Sequence, residues 1–193
     1  MSRIKTDQRI TDADKTKVVI RQPQPADLHP KNVAYLCQLV NRVYQVAEAG
    51  IWKGNAERIN VQAMTKILQN QALLIAQMGI KIVGCINVNL FNEDLAGFGM
   101  LVTDPEYRSL GIGKKLIQAA EAWAVSKGRA IMRLEILAPR NWVDSNKEFL
   151  KIWYIKMGYI LQSTEDFGRL YPEKSADLAT TCDFAIYHKI LEK

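Results

Sequence analysis

A mixed α/β fold, one domain long, is what the amino-acid sequence predicts, and three observations predict it. Strand-like and helical runs alternate from Lys17 onward, in the order strand, two helices, three strands, helix, strand, helix, two strands. No repeat, low-complexity tract or shift of composition divides the 193 residues, a length that suits one domain with a sizeable core. Between Gly97 and Lys127 an apolar strand passes through a glycine-containing turn into a helix with one apolar face, and the rest of the chain is organised around that segment.

Residues 1–16 are polar with mixed charge and are expected to form a flexible N-terminal segment, leaving 17–193 as the domain. Lys17–Arg21 is short and β-branched, a first strand stopped by Pro23 and Pro25. Val33, Leu36, Leu39, Val40, Val43 and Val46 recur at spacings of three and four, which predicts a helix over 32–49 ended by Gly50. After Trp52-Lys53-Gly54-Asn55, the apolar residues Ile59, Val61, Met64, Ile67 and Leu68 predict a second helix ending near Asn70. Two strands, 72–77 and 81–89, make a hairpin about Met78-Gly79-Ile80, and a turn over 92–96 leads to the strand that starts at Gly97. Leu116, Ile117, Ala120, Trp123 and Ala124 mark the apolar face of the next helix, which Gly128 caps before a fifth strand over 130–137. A further helix carries Phe149, Leu150, Trp153, Tyr154 and Met157 and ends at Gly158. Two late strands, 159–163 and 183–189, flank an irregular segment containing Pro172.

Apolar residues make up 48% and charged residues 24%, the balance of an ordinary globular protein. No apolar run approaches the ~20 residues that cross a bilayer, and the first residues hold no apolar stretch of a secretion signal. A cytoplasmic protein with no membrane partner is therefore expected. Cys37, Cys85 and Cys182 are odd in number, far apart and outside C-x-x-C spacing, which argues against both a disulfide framework and a zinc site. His29 and His188 have no ligand-spaced partner, so both are expected on the surface and no metal is expected. The net charge of +6 raises the question of nucleic acid. Lys and Arg, however, are interleaved with Asp and Glu, with no arginine-rich tract or RNA-binding aromatic motif, so no nucleic-acid partner is expected.

The chemistry concentrates in Arg108-Ser109-Leu110-Gly111-Ile112-Gly113-Lys114-Lys115. Gly111 and Gly113 stand where loop becomes helix, and backbone N–H groups there can approach a ligand with no Cβ in the way. A helix start also leaves four N–H donors unpaired, with the positive end of the helix dipole behind them. Such a place binds phosphate, and Arg108, Lys114 and Lys115 add cations suited to a pyrophosphate. The spacing is neither that of a P-loop nor that of a dinucleotide-binding Rossmann turn.

Instead, V-T-D-P-E-Y-R-S-L-G-I-G-x-x-L, over Val102–Leu116 with R-x-x-G-x-G at its centre, resembles motif A of the GNAT superfamily of acetyl-CoA-dependent N-acetyltransferases. Trp153-Tyr154-Ile155-Lys156-Met157-Gly158-Tyr159 downstream resembles the F-Y-x-x-x-G-F segment of the same family. The resemblance covers about residues 17–190 and is tightest over 97–124. It implies a mixed, mostly antiparallel sheet of about seven strands, splayed in the middle, with helices on both faces.

The same resemblance implies that acetyl-CoA is the co-substrate and that a neutral primary amine attacks its thioester directly. Backbone groups of Leu101 and Val102 would meet the pantetheine arm. Residues Arg108, Ser109, Leu110, Gly111, Ile112, Gly113 and Lys114 would hold the pyrophosphate. Tyr154 matches the tyrosine that gives its proton to the departing thiolate, a phenol being well matched to that acid role. Many family members carry a glutamate on the strand before the phosphate loop, where this chain has Gly97, Phe98 and Gly99. Glu93, Asp94 and Glu135 are the nearby carboxylates; Glu135, a charge among apolar strand residues, is the first choice of base, and a chain of waters would need none of them.

Substrate recognition in this family falls to the first two helices, which here offer Tyr44, Glu48, Trp52 and Arg58, with Arg140 and Trp142 as weaker candidates. The expected function is acetylation of the primary amine of a small molecule, since the first helices are rich in bulky apolar residues that suit a closed pocket. Acetylation of a protein N-terminus or lysine, and a coenzyme-binding module that has lost catalysis, are the alternatives. A homodimer stays open, because nothing in the sequence fixes the oligomeric state.

Overall fold

A computed structural model describes residues 17–54 and 57–192. The N-terminal segment expected to be flexible, and Asn55 of the loop before the second helix, lie outside the described residues. Seven strands form one sheet in the order β1-β2-β3-β4-β5-β7-β6. They are β1 (Val18–Arg21), β2 (Leu73–Met78), β3 (Lys81–Leu90), β4 (Leu95–Thr103), β5 (Ile131–Pro139), β6 (Ile160–Asp166) and β7 (Cys182–Ile190). Neighbours run antiparallel except β4 and β5, which run parallel.

Four helices follow the predicted order: α1 (Pro30–Ala47), α2 (Val61–Gln69), α3 (Ile112–Ser126) and α4 (Ser145–Lys156). The first starts two residues earlier than its apolar spacing indicates, because Pro30 fits the first helical turn and the His29 side chain accepts from the Lys31 amide at 3.4 Å. Strand β4 starts at Leu95 rather than Gly97, since Leu95 and Ala96 already pair with β5 and β3. The segment read as irregular around Pro172 contains two single-turn helices, α5 (Phe167–Leu170) and α6 (Pro172–Ser175). Asp166 caps the former by accepting from the Arg169 amide at 2.9 Å.

Two cores sandwich the sheet. On one face α3 buries Ile112, Leu116, Ile117, Ala120 and Ala124 against Val83, Ile86, Val88, Phe98, Met132 and Leu134, with Tyr154 of α4 joining them. On the other, α1 and α2 bury Val33, Leu36, Leu39, Val40, Met64 and Leu68 against Leu73, Ile75, Cys85, Met100 and Val102. A third, smaller cluster of Ile51, Leu137, Phe167 and Cys182 closes the end of that second face. All three cysteines are free and buried. No helix among the described residues is long and apolar enough to cross a membrane.

Candidate active site

Strands β4 and β5 part company at the centre of the sheet. They pair only from Leu95 opposite Ile131 to Gly97 opposite Arg133. Beyond that point β5 stays with β7 as far as Pro139, while β4 stays with β3 as far as Thr103. The edge of β4 that faces β5 therefore lacks a partner strand from Phe98 on, and its N–H and C=O groups are open to a ligand. A bulge adds to the splay: Cys85 pairs with Val102 but Asn87 with Gly99, so β4 spends one extra residue, and Met100 takes φ 50°.

The phosphate-type loop follows at the end of this open edge. Asp104 is buried there and accepts from Arg42 Nη2 and from the Glu106 amide, both at 3.2 Å, which ties the loop's base to α1. Ser109 (φ 65°) and Gly111 (φ 68°) are both left-handed, a backbone path that turns successive N–H groups toward one side. Asn60 and Asp144 cap α2 and α4 with side-chain oxygens, whereas Gly111 gives α3 no side-chain cap. The amide of Lys115 is the first to bond within the helix, to the Gly111 carbonyl at 3.1 Å. Those of Ile112, Gly113 and Lys114 are thus left to whatever sits in front of the helix. Gly113 has a packing reason as well: a Cβ there would come within 3.3 Å of the Trp153 ring, so its absence lets α4 lie close to the start of α3.

Tyr154, the next residue of α4, is buried with its ring centroid 6.0 Å from Phe98, 5.1 Å from Trp153 and 5.8 Å from Tyr159. Its hydroxyl has no hydrogen-bond partner among the described residues. Burial pushes its pKa well above the ordinary phenol value, and the nearby Tyr44 phenol pushes the same way. Tyr44 belongs to α1, on the other face of the sheet; the two phenols sense each other through the gap between β4 and β5. Burial also raises Tyr44, to about 12, with Arg58 and the Met100 amide opposing the rise.

On the α1 side the splay opens over a polar floor. The alternation that sends Ile86, Val88, Phe98, Leu134 and Tyr187 into the α3 core puts Asn87, Gly99, Arg133, Glu135 and His188 on this face. Arg133 donates to Glu135 Oε1 from Nε (2.9 Å) and again from Nη2. The guanidinium lies 5.2 Å from the Phe91 ring, and that ring fills the space a side chain at Gly97 would need. Oε2 of Glu135 has no partner among the described residues. Tyr44, with Arg58 stacked 4.8 Å over its ring, lies beside this floor, as does Tyr171, whose phenol is raised by burial and by Glu135. His188, expected on the surface, is half-buried, with Nε2 buried and unpartnered among the described residues; burial and then Arg133 lower its pKa.

Residues 69–161 match the family model of the acetyltransferase (GNAT) domain. Over that stretch, just under half of the 193 residues, the chain is similar to GNAT acetyltransferases. No curated protein is a significant match to the sequence. A GNAT-family acetyltransferase from Streptococcus pneumoniae shares the fold over 91% of this chain and 100% of its own, with TM-score 0.63 and 20% identity. The PaiA N-acetyltransferase of Thermoplasma acidophilum, solved in complex with coenzyme A, covers 91% of this chain and 99% of its own at TM-score 0.65 and 19% identity. YncA of Salmonella typhimurium, solved with its cofactor acetyl-CoA, covers 92% and 96% at TM-score 0.64 and 14% identity. At such identities the likeness is one of fold.

Within this fold, the sequence-predicted residues fall into three groups. Arg108, Ser109, Leu110, Gly111, Ile112, Gly113 and Lys114 form the turn into α3, and Leu101 and Val102 lie on the open part of β4. Tyr154, Tyr44, Arg58 and Glu135 surround the gap from two faces. Glu48 and Trp52 are tied to the scaffold: Trp52 Nε1 donates to Glu48 Oε2 at 2.6 Å, and Lys147 Nζ donates to Oε1 at 3.3 Å. Arg140, just past β5, is bonded to Asp166 at 2.7 Å and also to Asp183, and so ties together the adjoining ends of β5, β6 and β7. Sequence reasoning passed over Asn87 and Tyr171. The signal for Asn87 was present, as Asn87 and Asn89 alternate with apolar residues in K-I-V-G-C-I-N-V-N-L.

Proposed function

We propose that this enzyme moves the acetyl group of acetyl-CoA to the primary amine of a small molecule by direct attack. The observation that carries the small-molecule reading is how the acceptor side is closed. The Lys53 amide donates to the Asp177 carbonyl and the Ala179 amide to the Ile51 carbonyl, each at 2.8 Å, and Trp52 bridges Leu178. Lys53 Nζ adds a bond to the Ala176 carbonyl at 2.8 Å. The loop after α1 is thus stitched to the segment before β7, and a polypeptide threaded along the floor would have to break these bonds.

In this reading the free amides of Ile112–Lys114, with Arg108, Lys114 and Lys115, hold the diphosphate, and the open edge of β4 pairs with the pantetheine arm. When bound, acetyl-CoA supplies the thioester carbonyl. The amine nitrogen attacks that carbon, the C–S bond breaks, the thiolate takes the Tyr154 proton, and the proton lost by nitrogen passes to Glu135 directly or through water. Burial keeps the Tyr154 proton in place until a departing thiolate draws it off. The test is free-thiol release from acetyl-CoA with a panel of small primary amines and of peptides bearing free N-termini or lysines. A small amine turning over faster than any peptide is the expected result. Release with peptides alone would contradict the small-molecule reading, and coenzyme binding without release from any acceptor would make the domain catalytically silent.

A further inference from the structure

We infer that Asn87 and the floor at Gly99 receive the acceptor amine, with Asn87 Oδ1 taking one of its N–H hydrogens; the inference rests on the acetyl-transfer reading above. Asn87 and Gly99 are cross-strand partners at the bulge where the sheet begins to open. Oδ1 of Asn87 is buried and has no hydrogen-bond partner among the described residues, although a buried acceptor left bare costs stability. A group from outside the chain is the simplest source of the missing donor.

The glycines of the two strands say where that group would stand. A Cβ at Gly84 would press on the Val102 carbonyl at 2.6 Å, and one at Gly97 would meet the Phe91 ring at 2.5 Å. Both are glycine because the protein itself occupies the space. A Cβ at Gly99 would meet nothing within 4 Å, and its backbone does not take a positive φ. Gly99 therefore leaves a hollow above the open edge of β4, bounded by Asn87 on one side and facing Glu135 across the gap.

The chemistry around the hollow selects for donors. Asn87 Oδ1, the free oxygen of Glu135 and the Tyr44 phenol can each accept a hydrogen bond, while the Arg133 guanidinium is engaged by Glu135. An amine nitrogen, with two or three hydrogens to give, fits; a carboxylate at this spot would meet acceptors. One N–H held by Asn87 also leaves the nitrogen lone pair free to face the thioester carbon on the open edge.

The experiment uses coenzyme A carrying an S-linked N-butylacetamide arm, whose amide N–H stands in for the reacting nitrogen, and compares its affinity with that of coenzyme A by calorimetry. For the wild-type chain the arm should tighten binding about tenfold or more. Asn87→Leu should bind coenzyme A within about twofold of wild type and lose most of the advantage of the arm, and Gly99→Val should lose that advantage as well. An arm that adds nothing in the wild type, or an advantage that survives both substitutions, overturns the inference while leaving the coenzyme site intact. Failure of coenzyme A itself to bind the wild type would overturn the acetyl-transfer reading and this inference together.

Discussion

Tyr154 sits beside the gap in the sheet, where a departing thiolate would need a proton. Its ring is clamped by three aromatic neighbours, its hydroxyl is unclaimed among the described residues, and burial holds its pKa high. Tyr154→Phe keeps the packing and removes only the oxygen. Turnover should fall about a hundredfold, while calorimetry should give nearly unchanged coenzyme affinity. Unchanged turnover would remove the acid role. At Gly111 the left-handed backbone itself is at stake: Gly111→Ala should cost about 1 kcal/mol in a chemical melt, through strain at φ 68° and not through lost contacts, since a Cβ there would touch nothing within 4 Å.

The helices are held in register with the sheet by a few buried charges. Glu48 at the end of α1 and Lys147 in α4 are 7% and 5% exposed; Lys147 supplies the charge, and Trp52 the second hydrogen bond, that offset the Glu48 carboxylate's loss of water. Lys147→Met strands the Glu48 carboxylate and should destabilise the fold by about 3–5 kcal/mol; adding Glu48→Gln should restore most of the loss, as read from thermal melts of the single and double variants. At the other end, Asp27 takes Arg21 Nη1 at 2.6 Å and Nη2 at 2.9 Å, anchoring the turn before α1 to β1. Burial works to raise the Asp27 pKa, but the Arg21 bonds and the Gln24 amide outweigh it, and the folded value lies below the ordinary one. A carboxyl with a depressed folded pKa contributes its full stability above its unfolded value. That contribution is lost as pH falls through the folded value, so Asp27→Asn should flatten the acid limb of the stability curve below about pH 4.

At the scale of the molecule, what was legible in the sequence was what is local. The strand–turn–helix from β4 to α3 shows in a run of consecutive residues, and the spacing of Val33, Leu36, Leu39 and Val40 shows α1 by itself. Strand number and order along the chain were legible for the same reason. The insertion of β7 between β5 and β6, and the parallel pairing that lasts only from Leu95 to Gly97, depend on partners far apart in the chain; the resemblance implied only a mostly antiparallel sheet splayed in the middle. Glu48 read as a pocket residue because its partner Lys147 lies 99 positions away. Asn87 went unnoticed because a polar residue in an alternating strand looks solvated until the floor above it is seen.

All of this depends on a diphosphate at the uncapped start of α3, beside an open strand edge. The most direct measurement is the amide spectrum of isotopically labelled protein titrated with coenzyme A. The amides of Leu110–Lys114 and Met100–Val102 should shift first and furthest, saturating together. Saturation with those amides unmoved, and the largest shifts elsewhere on the chain, would contradict the account.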